Sequence, residues 1–184
     1  GIITQPERAL ASLKTMQHDL DSQSQDGLVN IYLHVTYRCN LTCAHCYARS
    51  GPGESPFMAP GDIADLVYQA AEAGFRKAVL TGGEPMLHPQ RDQLLSAMKA
   101  LKAEVKPLKT VLRTNLAFPL SDPLIQGLAH STDQVVVSVD GSRESHDARR
   151  GPGTYDRTIN HLHRLLNADP DAEIRITAVL TAEQ

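Results

Sequence analysis

Long apolar runs are missing from this sequence. No stretch approaches the roughly 18 consecutive apolar residues of a membrane span, and the start lacks a signal-peptide pattern, so a cytoplasmic protein with no membrane partner is expected. Charge of one sign is also scarce. With 18 Lys and Arg against 21 Asp and Glu, the formal net charge is -3, which argues against a nucleic-acid binder working by bulk electrostatics. Neither an internal repeat nor a low-complexity tract is apparent. Cysteine is scarce and clustered: the chain has three, Cys39, Cys43 and Cys46, all within eight residues. Disulfides usually occur as paired, spread sets, so this cluster points to metal ligation in a reducing compartment.

What is present supports one compact fold. At 184 residues and 41% hydrophobic content, the chain can bury a real core and reads as one domain. Leu10, Leu13, Gln17 and Leu20 fall near helical spacing and predict a short helix over residues 6–20, followed by a polar linker over 21–27. Residues 29–36 alternate as a strand, with Ile31, Leu33 and Val35 on one face and Tyr32, His34 and Thr36 on the other. The cysteine loop comes next. Beyond the break at Gly51-Pro52-Gly53, residues Ile63, Leu66, Val67 and Ala70 mark a helix stopping at Gly74.

The pattern then recurs. Strands are predicted at 78–81, 110–113, 135–139 and 174–181. Helices are predicted around Leu94–Leu101, from Asp122-Pro123 through Leu128, and over 154–166. Strands alternating with helices argue for right-handed βαβ units and a parallel sheet. In such folds ligands gather at the C-terminal strand ends, and here each unusual motif falls at such an end. These are the cysteine loop after the first strand, Gly82-Gly83-Glu84 after the second, Thr114-Asn115 after the third and Ser138-Val139-Asp140-Gly141 after the fourth.

The spacing Cys39-x3-Cys43-x2-Cys46 lets three thiolates from one loop serve one metal centre, and no fourth cysteine closes it. An iron-sulfur cube held this way keeps one iron open to a non-protein ligand. On spacing alone, the three cysteines and His45 also match a tetrahedral zinc site. Two points weigh against zinc: His45 is adjacent to Cys46, which strains joint ligation of one ion, and zinc gives Gly82-Gly83-Glu84 no role. His161 and His163, two apart on a helix, do not face one metal.

Together with Thr81-Gly82-Gly83-Glu84-Pro85, Thr114-Asn115, Ser138-Val139-Asp140-Gly141, His146-Asp147-Ala148-Arg149-Arg150-Gly151 and Gly153-Thr154-Tyr155-Asp156-Arg157, the cysteine motif resembles the radical S-adenosylmethionine (radical SAM) superfamily. The last blocks resemble its SPASM and twitch-type maturases. The resemblance implies a partial parallel (β/α) barrel of about six units. Five are legible, so residues 28–184 are expected to be a core that stops before the sixth, preceded by the helix and linker of 1–27. A fifth strand without a successor would leave an apolar edge prone to self-association.

The resemblance further implies a 4Fe-4S cluster on Cys39, Cys43 and Cys46, with S-adenosyl-L-methionine as cofactor and a flavodoxin- or ferredoxin-like electron donor as partner. Gly82, Gly83 and Glu84 would receive the methionine amino group, with Glu84 as carboxylate acceptor. Asn115 and Ser138 would meet the ribose or carboxylate, although polar residues at strand ends equally serve as caps. Arg150 would pair with the carboxylate bidentately, Arg149 being the adjacent alternative. Tyr47 is read as stacking on adenine or packing in the core. His34 and Thr36 face the barrel interior. No catalytic residue beyond the cluster is assigned. The implied function is hydrogen abstraction by a 5'-deoxyadenosyl radical in peptide or protein maturation, with biosynthesis of a tetrapyrrole or other cofactor as the alternative. From another class come a zinc-binding module and a non-catalytic S-adenosylmethionine-binding module.

Overall fold

The computed structural model describes residues 29–179; the expected helix over 6–20, the linker over 21–27 and residues 180–181 of the expected fifth strand lie outside them. Five strands form one sheet: β1 (Asn30–Thr36), β2 (Lys77–Gly82), β3 (Lys109–Thr114), β4 (Gln134–Ser138) and β5 (Glu173–Thr177). Every pairing is parallel and the order is β1-β2-β3-β4-β5. Right-handed crossovers that always step to the next position lay their helices on one face, the wall of an open barrel.

The sequence alternation decides which face is which. Leu33 and Val35 of β1, Ala78 and Leu80 of β2, Leu112 of β3 and Val135 and Val137 of β4 belong to one buried cluster with the helices. The opposite face carries Tyr32, His34, Thr81, Arg113, Ser138 and Thr177, and Tyr32 is 53% exposed. Helices α1 (Pro60–Glu72), α2 (Arg91–Glu104), α3 (Asp122–Ser131) and α5 (Thr154–Ala168) match the predicted apolar periods. Proline in the first turn starts α1 and α3, and Gly74 takes a left-handed φ of 85° just past α1, where other residues would be strained.

Two elements escape the apolar periodicity. Helix α4 (Arg143–Arg150) buries only His146, so it has no hydrophobic stripe to read; its one local signal is Ser142, whose hydroxyl caps the Ser145 N–H. The second is a 3-10 turn, Pro85–Leu87. Among the described residues no helix is long and apolar enough to cross a membrane.

Since Leu112 is fully buried at the centre of the sheet, Leu112→Ala is expected to cost about 2 to 5 kcal/mol. Tyr32→Ala, on the open face of an edge strand, is expected to cost much less. Urea unfolding of both variants checks this, and equal losses would mean that the faces are assigned wrongly.

Candidate functional site

The site begins where β1 leaves its ladder. Pairing with β2 slips between His34 and Thr36, so that Thr36 lies opposite Gly82. A slip of this kind bends the strand and re-aims the chain beyond it. Here that chain is the cysteine loop, and its backbone lies directly on Gly82-Gly83. Thr36 O accepts from the Gly83 N–H and Arg38 O from the Glu84 N–H, both at 2.8 Å. A Cβ on Gly82 would stand 2.2 Å from Thr36 O, and one on Gly83 would stand 2.3 Å from Arg38 O. Both glycines are therefore demanded by the loop itself. Although they also line a cavity at this strand end, their bare backbone meets the chain before it meets any ligand.

The loop is held from other sides as well. Gly51 O accepts from Cys39 N–H at 3.1 Å, and Arg149 O, near the end of α4, accepts from Ala44 N–H at 3.0 Å. Asn115, just past β3, donates from Nδ2 to Asn40 Oδ1 at 3.1 Å and towards Cys39 Sγ at 3.7 Å. Two strand ends and the end of one helix thus fix one loop.

Glu84 lies behind the cavity wall. It is fully buried, and its carboxylate points inward, accepting from Met86 N–H (3.1 Å), Thr114 Oγ1 (2.9 Å) and Asn115 N–H (2.8 Å). The side chain ties the end of β2 to the end of β3 and is not on the cavity wall. Burial raises its pKa to about 7, against which the three hydrogen bonds pull down.

All three cysteines line one cavity of about 170 Å³, together with Gly82, Gly83 and Asn115. Burial pushes the Cys39 thiol up to about 12, opposed by the Leu41 N–H but reinforced by Glu84 and the other two cysteines. Cys43 is also raised by burial, with Arg150 opposing. Left bare, both thiols hold their protons; a cationic group is what would make them thiolates. Yet among the described residues no three His, Cys, Asp or Glu side chains are gathered to hold a single metal ion. Sulfurs that share a wall without meeting at one point fit a multi-iron cluster, where each thiolate takes its own iron, better than zinc. His45 does not complete a zinc site: its Nε2 lies 3.4 Å from Asp140 Oδ2 and 3.5 Å from the Arg150 guanidinium, and burial holds its pKa down.

Arg150, unlike Arg149, is on the cavity wall, and the Nε–Nη2 edge of its guanidinium is taken by Asp140, with Nε to Oδ2 at 2.7 Å and Nη2 to Oδ1 at 3.2 Å. Asp140 is fully buried and also accepts from Val179 N–H at 3.0 Å. Although burial alone would raise it, these partners hold its carboxyl below the usual range. Arg149 turns to Val179 O. Ser138 lines the cavity. Tyr47 is no core residue: it is 74% exposed, meets His34 edge-on and shares a 3.2 Å hydrogen bond with His34 Nε2. His161 packs by its ring to Leu116 O. Sequence reasoning missed Arg113 and Thr177, which also line the cavity. Their signal was available in the strand alternation, which sets both on the open face with Ser138.

A family model, the radical SAM superfamily, matches residues 33–181. The mycofactocin maturase MftC of Mycobacterium tuberculosis is 27% identical over 159 residues, 85% of this chain and 39% of that protein. An Fe-coproporphyrin III synthase of Methanosarcina barkeri is 28% identical over 158 residues, 84% of this chain and 38% of that protein. Among solved structures, Streptococcus suis SuiB bound to S-adenosylmethionine superposes with a TM-score of 0.70 at 22% identity, over 97% of this chain and 39% of that one. SuiB has also been solved with its precursor peptide SuiA. The chain spans well under half the length of the curated relatives it matches.

The braces on the loop generate two tests. Gly83→Ala must displace the loop backbone, so it is expected to abolish iron loading on reconstitution while the far-UV circular dichroism stays that of a folded protein; normal loading would contradict the close approach. For Glu84, the unfolded chain releases its proton near 4.5 and the folded chain near about 7. The native state therefore holds the extra proton between these values, and the stability this group contributes is full below about 4.5 and declines as pH rises to about 7. Four histidines whose pKa burial lowers, His34, His45, His88 and His146, slope the other way, so the reference is Glu84→Gln, which keeps them all. Wild-type stability relative to that variant should fall by on the order of 3 kcal/mol from pH 4.5 to 7.5 in urea titrations. A difference independent of pH would refute the shift.

Proposed function

The chain belongs to the radical SAM superfamily, whose members are enzymes using a 4Fe-4S cluster and S-adenosylmethionine, and from that premise we propose that it is the cofactor-binding core of a peptide or protein maturase. The observation carrying this reading is that Cys39, Cys43, Cys46, Gly82 and Gly83 line one cavity at the C-terminal edge of a parallel sheet. When bound, the cluster and S-adenosylmethionine supply reductive cleavage of a carbon-sulfur bond, which leaves methionine and a 5'-deoxyadenosyl radical able to abstract hydrogen from a substrate.

The chain's own residues hold and orient. Cys39, Cys43 and Cys46 are the thiolate ligands, and Asn115 and the Leu41 N–H direct donors at Cys39 Sγ, stabilising negative charge there. The glycine pair and the Asp140–Arg150 ion pair fix the loop's two flanks. Ser138, Thr177 and Asn115 present polar groups to the cavity. A reduced flavodoxin- or ferredoxin-like protein in the cytoplasm is the proposed electron source.

Maturation is favoured because the relatives with broad coverage include a maturase by name and a fold neighbour solved with its precursor peptide. The similarity to an Fe-coproporphyrin III synthase keeps cofactor biosynthesis as the second reading.

Anaerobic reconstitution with iron and sulfide is expected to give a visible absorption that bleaches on reduction, and replacing any one of Cys39, Cys43 or Cys46 with Ala should abolish it. Normal iron and sulfide content in all three variants would remove the assignment. With reductant and S-adenosylmethionine, the full-length protein should release 5'-deoxyadenosine and shift the mass of a peptide encoded beside its gene. Turnover of a porphyrin precursor with no peptide changed would select the second reading.

A further inference from the structure

We infer that the outer edge of β1, over residues 30–34, binds an extended peptide as an added antiparallel strand. The inference rests on the peptide-maturase reading and deepens it by giving that class of substrate a docking surface. Among the described residues β1 pairs along one side only, with β2. Val29 O accepts from the Lys77 N–H, which turns the main chain of Val29, Ile31 and Leu33 towards β2. Asn30 and Tyr32 therefore direct their N–H and C=O groups outward, and no backbone group among the described residues meets them.

The same edge already accepts a strand. At its C-terminal end the segment 56–58 runs antiparallel to it, with the Tyr37 N–H donating to Pro56 O at 3.0 Å, the Met58 N–H to Val35 O at 2.9 Å, and Phe57 opposite Thr36. At Pro60 the chain departs into α1, and the edge beyond is left open. Composition separates this edge from the one at the other end of the sheet. Strand β5 carries Glu173 and Arg175, the kind of charge that keeps an edge from recruiting another chain, whereas residues 30–34 hold no Lys, Arg, Asp, Glu or Pro. Val29 and Tyr32, 55% and 53% exposed, add apolar surface beside the open main-chain groups.

Position favours a peptide substrate over a second copy of the chain. His34 ends the open stretch, and its Nε2 shares a hydrogen bond with the hydroxyl of Tyr47, a residue of the cavity wall. A strand laid antiparallel on residues 30–34 meets Met58 at that end, so it leaves the edge beside Tyr47. The peptide then delivers the residues N-terminal to its paired segment to the cavity, while alternate side chains of the segment share the open face with Tyr32 and His34.

Hydrogen exchange read by mass spectrometry tests this on the full-length, reconstituted protein with S-adenosylmethionine, with and without the peptide encoded beside its gene. Calorimetry accompanies it for wild type, Tyr32→Pro and Tyr32→Ala, with iron content and thermal midpoint as checks on folding. Proline removes the outward N–H without breaking a bond to β2, and alanine keeps that N–H while removing the ring. The peptide is expected to slow exchange across residues 30–34, and its binding to weaken about 5-fold to 20-fold in Tyr32→Pro and by less in Tyr32→Ala. Asn30→Pro takes the place of Tyr32→Pro if the latter fails the folding checks. Equal losses in the proline and alanine variants overturn strand addition. Unchanged exchange over residues 30–34 beside a peptide that binds and is modified also overturns it and leaves the maturase reading intact. So does an edge protected before any peptide is added, by a second copy where protection grows with protein concentration or by another segment of the chain where it does not. A peptide that neither binds nor changes mass counts against the maturase reading. The exchange measurement is then made with a short peptide alternating Thr and Val, and slowed exchange over residues 30–34 upholds the edge while unchanged exchange overturns it.

Discussion

The cysteine loop can exist in its observed place only because two consecutive residues of the β2 end have no side chain. Gly82 and Gly83 let the Thr36–Arg38 backbone come within hydrogen-bonding distance of the Gly83 and Glu84 amides, where any Cβ would fall inside the contact distance of a carbonyl oxygen. The slip in the β1–β2 register, which sets Thr36 over Gly82, belongs to the same constraint. The loop is thereby welded to the sheet at its root, and the positions of Cys39, Cys43 and Cys46 inherit the rigidity of two paired strands.

Much of this architecture is legible in the residues. Two-residue alternation marks β1, short apolar runs mark the strands after it and an apolar period marks each long helix, and the sequential parallel order comes from short βα units. The motifs also fall on one rim, as strand ends of a parallel sheet require. Helix α4 is not legible, because a helix that buries only His146 writes no hydrophobic stripe into its sequence.

The site is legible in identity but not in orientation. Glu84 and Arg150 both stand where the sequence places them, yet their charged groups face partners inside the protein. Alternation cannot foretell this, since it fixes the face of a strand residue but not the rotamer of a residue just beyond the strand. Arg113 shows the reverse case. It sits inside a strand, so its face is decidable from Thr110 to Thr114 alone, but a lone arginine there has no motif to attract attention.

The two buried carboxylates share a logic that bears on the chemistry. Glu84 and Asp140 both sit behind the cavity wall, one tying β2 to β3 and the other gripping Arg150 and the Val179 amide. Each spends its acceptor capacity on a wall element, so among the described residues the wall presents thiols, hydroxyls, amides and two guanidinium groups but no free carboxylate. On the proposed reading, in which the site holds three thiolates, such segregation is favourable. Acidic groups on the wall would repel them, whereas behind it they fix the donors in place. The raised Cys39 and Cys43 pKa values mark what this wall still lacks on its own: positive charge enough to take the thiol protons off, which an iron cluster would bring.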